Sequence, residues 1–274
     1  MCELLAVSMS QPTQLTFSLH TLASRGGAGG STHDGWGVAF HQGKDAALFR
    51  EPSAAGDSAL VRFLETQGPS TRLAISHIRH ATRGAVSLAN TQPFVRELGG
   101  RTHVFAHNGN LPGIEHSAAF PLGGACRPVG ETDSEHAFCV LLERLRPLWA
   151  CDTPPSFQAR LAVLASFAAD LRLLGPANFL YADGDVAFAH GHRRIHPETG
   201  RIEPPGLWLL QTHSPASGLS TPGSAGVAMV GGERRVTLHC QRATHHRRLA
   251  PPGGGRTGGR AGWKDALPSC APVH

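Results

Sequence analysis

The feature that most constrains the fold is the apolar segment that begins at the second residue of the chain. Residues 2–9 are apolar on both faces when drawn as a strand, so this strand is expected to be buried. Cys2 opens the segment, directly after the initiator Met1. If Met1 is removed, Cys2 carries a thiol and a free α-amine, and an α-amine with a pKa of about 7.7–8.0 can accept the thiol proton. The alternative is that Cys2 is only a small apolar residue at the start of a strand.

The apolar patterns that follow predict strands, then two helices, then further strands. We expect Asp57 to cap an early helix, and Thr132 with Glu135 to form a capping box at a later one. This order favours helices packed on a mostly antiparallel β structure. The predicted helices cover 11–24, 57–67, 132–145 and 156–174, and the predicted strands cover 36–41, 46–50, 72–79, 102–107, 177–182, 185–190, 207–211 and 225–230.

The positive charge of the chain is concentrated at its C-terminal end. The net charge of +5 divides into +6 for residues 231–274 and −1 for residues 1–230. The folded body therefore gives no indication of nucleic-acid binding. Because residues 241–274 are rich in Gly, Pro, Arg and His and lack an apolar period, we expect a disordered tail there and a single domain over residues 1–240.

The cysteines and the apolar runs indicate the compartment. None of the six cysteines forms a C-x-x-C pair, so we expect reduced thiols, no metal site and no cofactor. No apolar run reaches the roughly 18 residues of a membrane span, and no basic segment leads into an apolar one at the N-terminus. We therefore expect a cytoplasmic protein that does not bind a membrane.

Four short segments carry the residues that could do chemistry, and they lie at the ends of predicted elements. Each also has a simpler explanation. Arg79 could be a solvated charge at a strand end, Asn108-Gly109 an ordinary turn that tolerates left-handed backbone angles, and Asp133 a carboxylate that only favours a helix N-terminus. The segments are Cys2, 77–84, 107–109 and 131–135.

Together these segments contain every group needed to cleave the side-chain amide of an amino acid. Arg79 can pair with an α-carboxylate through two hydrogen bonds, and Asp133 can accept an α-ammonium group. The thiolate of Cys2 can attack the amide carbonyl. The Asn108 side chain and the Gly109 backbone N–H can then donate to the oxyanion that forms.

The same stretches resemble the class II glutamine amidotransferases of the N-terminal nucleophile hydrolase superfamily, and most closely their stand-alone YafJ-type subgroup. The resemblance implies a four-layer αββα sandwich of two mainly antiparallel sheets. It also implies that Cys2 is the nucleophile, that Asn108 and Gly109 form the oxyanion hole, and that Arg79, Thr82 and Asp133 bind the substrate. The matching stretches are 1–5, 34–37, 77–79, 90–94, 106–109 and 127–135.

The resemblance leaves the substrate open. One possibility is free glutamine, with ammonia passed to a separate synthase. The other is a γ-glutamyl conjugate, as in the relative from the ergothioneine pathway. A non-catalytic binding or regulatory protein on the same fold is the alternative function. Many larger relatives carry Trp at the position of His80, which we expect to line the site or lie at the surface, with an acid/base role as the alternative.

Overall fold

The computed structural model describes residues 2–17, 34–81, 83–151, 153–196, 199–214, 227–230 and 234–240. The strands in these ranges are β1 (Glu3–Phe17), β2 (Trp36–Gln42), β3 (Asp45–Glu51), β4 (Ser70–Ile78), β5 (Phe94–Leu98), β6 (Arg101–Gly109), β7 (Ala177–Ala182), β8 (Ala187–His190), β9 (Arg194–Ile195), β10 (Ile202–Glu203), β11 (Trp208–Ser214), β12 (Val227–Val230) and β13 (Arg234–Cys240). The α-helices are α1 (Ala59–Gln67), α2 (Asp133–Leu145) and α3 (Phe157–Leu174), and short 3-10 helices cover Ala55–Asp57, Ile114–His116 and Arg146–Trp149.

The strands form two large antiparallel sheets and one small ribbon. The larger sheet has the order β11-β13-β1-β4-β2-β3, and β12 pairs with the C-terminal end of β1. The smaller sheet has the order β5-β6-β7-β8. The strands β9 and β10 pair only with each other, and we call them the β9–β10 ribbon.

Strand β1 lies inside the larger sheet and is buried on both faces, as its sequence predicts. Leu4 and Ala6 pack between the two sheets against residues of β6 and β7. Leu5 and Val7 point to the opposite face and pack with residues of α1. The alternation follows from the two-residue period of a strand.

The outer face of the smaller sheet is covered by α2 and α3. Phe105 of β6 stacks on Phe138 of α2 with ring centroids 5.2 Å apart, and Phe179 of β7 meets Phe167 of α3 at 5.8 Å. With α1 on the larger sheet and α2 and α3 on the smaller one, the layers follow the order helix, sheet, sheet, helix. The predicted αββα sandwich is confirmed.

The predicted helix over 11–24 was wrong, because β1 continues to residue 17. Thr13 and Leu15 are buried while Gln14 between them is half-buried, which is the two-residue period of a strand. Pairing with β4 and β12 stabilises this extended backbone, so tertiary contacts override the leucine spacing. The rest of the predicted helix lies outside the described residues.

The helix caps were predicted correctly at one site and incorrectly at another. The Thr132 hydroxyl accepts a hydrogen bond from the Glu135 backbone N–H at 3.2 Å, which confirms the cap of α2. At α1 the cap is Ser58, whose hydroxyl accepts from the first turn at 3.0 Å. Asp57 instead ends the preceding 3-10 helix. Both Asp and Ser can cap a helix, so the local sequence did not decide which of the two residues caps α1.

Four strands were not predicted or were left open, and β9 and β10 are two of them. Strand β5 was not predicted, and it pairs with β6 at the edge of the smaller sheet. Strand β13 pairs with β1 from Leu5 with Cys240 to Met9 with Val236. The predicted tail, residues 241–274, lies outside the described residues. No helix in the described ranges is long and apolar enough to span a membrane.

Candidate active site

The pairing of β1 with β4 places Cys2 beside the residues that follow β4. Glu3, the first residue of β1, pairs with Ile78, the last residue of β4. The Cys2 thiol therefore meets the backbone of His80. Its sulfur accepts a hydrogen bond from the His80 N–H at 3.1 Å and donates to the His80 carbonyl at 3.3 Å. The thiol position is fixed by backbone groups on the neighbouring strand.

The surroundings of the Cys2 thiol keep it protonated. Burial raises the pKa of the thiol above its ordinary value, and the His80 N–H and the Arg79 charge offset only part of that rise. A protonated thiol is a weak nucleophile, so a base must remove its proton before attack.

Arg79 places a buried guanidinium group next to the thiol. The side chain is 4% exposed and donates to the carbonyl oxygens of Asp34 (3.3 Å), Arg83 (3.0 Å) and Gly84 (3.1 Å). In the described part of the chain no carboxylate lies within ion-pair distance of it. A buried cation held only by neutral carbonyls favours an anionic ligand, because its desolvation is otherwise uncompensated.

Asp133 is the first residue of α2 and is 8% exposed. One carboxylate oxygen accepts from the Leu111 backbone N–H at 2.8 Å, and the other accepts from the Ser134 N–H at 2.8 Å and the Ser134 hydroxyl at 3.3 Å. These donors orient the carboxylate, and the helix N-terminus favours its negative charge.

Asn108 and Gly109 end β6 in extended backbone, so the simpler explanation of this dipeptide as an ordinary turn does not hold. The Asn108 amide donates to the Cys2 carbonyl at 2.9 Å and so ties the two strand ends together. At position 109 the neighbouring backbone leaves no room for a side chain, so only glycine fits. A Cβ there would lie 1.9 Å from the Pro176 carbonyl oxygen and 2.7 Å from the His107 ring nitrogen Nε2.

All the described residues that were predicted for the site line one pocket of about 510 Å³. They come from β1, from the segment after β4, from the end of β6 and from the start of α2. Thr82 lies outside the described residues. The residues brought together are Cys2, Arg79, Asn108, Gly109 and Asp133.

Comparisons with known proteins identify the family of this chain. A family model described as glutamine amidotransferases class-II matches residues 1–211. The chain belongs to the class II glutamine amidotransferases. It is 40% identical over 201 residues to the Escherichia coli protein named as the putative glutamine amidotransferase YafJ. The aligned region covers 73% of this chain and 77% of that protein.

Two further relatives extend the comparison. A Haemophilus influenzae protein named as a putative glutamine amidotransferase is 34% identical over 196 residues, covering 72% of this chain and 65% of that protein. The crystal structure of a predicted glutamine amidotransferase from Pseudomonas aeruginosa superposes with a TM-score of 0.63 at 33% identity, covering 90% of this chain and 92% of that one.

Three polar residues of the amidotransferase pocket were not predicted individually. The Gln92 amide exchanges hydrogen bonds with the His107 backbone, accepting from its N–H at 2.6 Å and donating to its carbonyl at 3.1 Å. Asn178 donates to the Asn108 carbonyl at 3.0 Å. Gln92 and His107 lie in stretches that carry the family resemblance, whereas Asn178 reaches the pocket only because β7 pairs with β6.

Two buried histidines of this amidotransferase, His77 and His107, are poor bases. Burial, with a smaller effect from the nearby His107 and Arg79 charges, lowers the pKa of His77 to about 3. Burial also lowers the pKa of His107, although the Asp133 charge opposes that shift. A base with so low a pKa accepts little of a thiol proton at neutral pH. His80 lines the pocket, and its ring lies 3.8 Å from the Asp34 carboxylate.

Proposed function

We infer that this amidotransferase hydrolyses the side-chain amide of glutamine or of a γ-glutamyl compound through a thioester on Cys2. The observation that carries the inference is the placement of the Cys2 thiol in one pocket with the buried guanidinium of Arg79 and the oriented carboxylate of Asp133. A glutamyl group has an α-carboxylate and an α-ammonium, and these two side chains match them in charge.

The first half of the reaction requires that Met1 has already been removed, so that the α-amine of Cys2 is free. The α-amine of Cys2 then accepts the thiol proton, and the thiolate attacks the amide carbonyl carbon. The α-ammonium returns a proton to the nitrogen of the tetrahedral intermediate. Ammonia or an amine leaves, and the glutamyl carbonyl remains bonded to the Cys2 sulfur. The poor basicity of His77 and His107 supports the α-amine as the base.

The second half of the reaction uses water. The α-amine accepts a proton from water, the hydroxyl adds to the thioester carbonyl, and the thiol leaves as glutamate forms. The Asn108 side chain and the Gly109 N–H are proposed to donate to the oxyanion in both halves. One donor of this kind contributes about 10²–10³ in rate. The hydrogen bond from Asn108 to the Cys2 carbonyl supports this role, because it holds the amide beside the nucleophile.

Three further expectations belong to this function: a role for Thr82, a compartment and an acceptor for ammonia. Thr82 is proposed to help hold the substrate, as the family resemblance implies. We place the protein in the cytoplasm. With free glutamine as substrate, the ammonia would pass to a separate synthase.

The experiment that tests this function is incubation of the pure protein with glutamine and a panel of γ-glutamyl amides, with glutamate release measured. We expect release from at least one substrate and none from Cys2→Ala, which removes a single sulfur atom. A matched control is Cys151→Ala, because Cys151 is an exposed free thiol outside the pocket. Release by Cys2→Ala at the wild-type rate would contradict the thioester mechanism, and no release from any substrate would favour the non-catalytic alternative.

A further inference from the structure

The pocket contains more positive charge than a glutamyl group can use. Among the described residues, its lining includes the guanidinium groups of Arg79, Arg83, Arg193 and Arg194 and one carboxylate, that of Asp133. In the proposed function, Arg79 and Asp133 are matched by the α-carboxylate and α-ammonium of the substrate. The arginines that remain are Arg83, Arg193 and Arg194.

These remaining arginines are not equivalent. Arg83 forms an ion pair with Glu115 at 2.5 Å, so its charge is already compensated. Arg193 forms no ion pair with any carboxylate of the described residues, and its buried Nε has no hydrogen-bond partner among them. Arg194 is 6% exposed, and its Nε donates to the Ile195 carbonyl at 3.4 Å. Arg193 therefore offers the clearest vacant donor for an anion.

A chain of hydrogen bonds places Arg193 on one side of the nucleophile. The Asn108 amide donates to the Cys2 carbonyl, and the Asn178 amide donates both to the Asn108 carbonyl at 3.0 Å and to the Arg193 carbonyl at 2.9 Å. Arg79 is connected to Cys2 through a different group, because it precedes His80, whose backbone holds the Cys2 thiol. A substrate with its glutamyl half at Arg79 would extend its amine half toward Arg193.

The same wall of the pocket also has an apolar part. Ile195 and Ile202 pair across the β9–β10 ribbon, line the pocket, and are 45% and 51% exposed. The pocket volume of about 510 Å³ lies within the range of about 300–1,000 Å³ that proteins use for drug-sized ligands. Free glutamine has no group that could contact Arg193 or the two isoleucines of this wall once its α-carboxylate is bound at Arg79.

We propose that the β9–β10 ribbon and Arg193 form a subsite for the amine half of the substrate, and that this half is an apolar amino acid with a free carboxylate. The inference rests on the proposed function and selects its substrate class: γ-glutamyl derivatives of apolar amino acids are preferred over glutamine. The reaction consumes one water, breaks the γ-amide bond, and yields glutamate and the free amino acid.

The test compares γ-glutamylleucine with γ-glutamylleucinamide, which differ only in the terminal carboxylate. We expect kcat/KM to favour the carboxylate by about tenfold or more, as for a hydrogen bond to a charged group. Arg193→Gln should bring the ratio close to one, since Asn178 holds the backbone and not the side chain of this residue. Arg201→Gln is the matched control, because Arg201 is an exposed cation near the same ribbon but outside the pocket lining, and it should keep the wild-type ratio.

Three results would overturn the subsite. These are equal rates with the two compounds, a higher kcat/KM with glutamine than with γ-glutamylleucine, and an equal loss of the ratio in Arg201→Gln. A calorimetric titration of the Cys2→Ala protein with both compounds separates the subsite from the chemistry. Tighter binding of γ-glutamylleucine supports the subsite even if no substrate is cleaved, and equal binding contradicts it. Absence of cleavage by the wild-type enzyme would by itself count only against the proposed function.

Discussion

Substitution of Gly109 by alanine tests whether the end of β6 must approach its neighbour as closely as the structure shows. The added Cβ would lie 1.9 Å from the Pro176 carbonyl oxygen, which already accepts a hydrogen bond from the Asn110 N–H at 3.0 Å. Ordinary contacts of this kind exceed 3.0 Å, so β6 and the Pro176 segment must separate by more than about 1 Å. Overpacking of this size destabilises a fold by about 1–3 kcal/mol. A displacement of about 1 Å at a reacting centre lowers the rate about 10²-fold.

The expected result for Gly109→Ala is a fall of about 10²-fold in kcat/KM and a fall of about 2–12 °C in the thermal midpoint. Glutamate release and thermal unfolding measure the two effects. Gly100→Ala is the control. Gly100 lies just before the other end of β6, and a Cβ there would have no described atom within 4 Å. Its positive φ of 72° makes alanine destabilising by about 1–2 kcal/mol, with activity retained. Wild-type activity in Gly109→Ala would refute the argument that close approach positions the site.

Further predictions concern the substrate clamp, the tail and the effect of acid. Arg79→Lys should weaken glutamine binding sharply but leave the reaction of the Cys2 thiol with iodoacetamide nearly unchanged, because lysine replaces a planar fork by a point charge; equal loss of both would mean that Arg79 supports the fold. A chain that ends at Gln241 should keep the thermal midpoint and rate of the full chain, since the residues beyond it lack an apolar period, and aggregation of that chain would contradict this. Burial lowers the folded pKa of His41 to about 4 and of His77 to about 3, below their unfolded value, so the unfolded state binds more protons at mildly acidic pH. The free energy of unfolding should therefore fall as pH drops from about 6.5 toward 4, by up to about 1.4 kcal/mol per pH unit for each histidine, and His77→Gln should reduce this slope in chemical denaturation measured across that range.

The sequence was sufficient to predict those site residues that lie at the ends of its own apolar elements. Cys2 precedes a buried strand, Arg79 follows another, and Asp133 begins a helix with a recognisable cap. Each of these elements shows a clear local period, and their ends meet at one edge of the sandwich. The family resemblance joined these local signals into one site before their distances were known.

The residues that the sequence did not reveal depend on pairing between distant strands. Asn178 contacts Asn108 because β7 lies beside β6, and it then holds the backbone of Arg193. No local pattern around Asn178 indicates this contact. The extension of β1 past Pro12 has the same origin, because pairing with β4 and β12 outweighs the helical spacing of nearby leucines.

The central claim is that Cys2, freed of Met1, carries the glutamyl group. Mass spectrometry of the N-terminal peptide, after acid quenching of the enzyme mixed with substrate, tests it most directly. The account predicts a peptide that begins at Cys2, with a fraction carrying one γ-glutamyl group that is absent from Cys2→Ala. A fully active enzyme that retains Met1, or a glutamyl group on any other residue, would contradict the account.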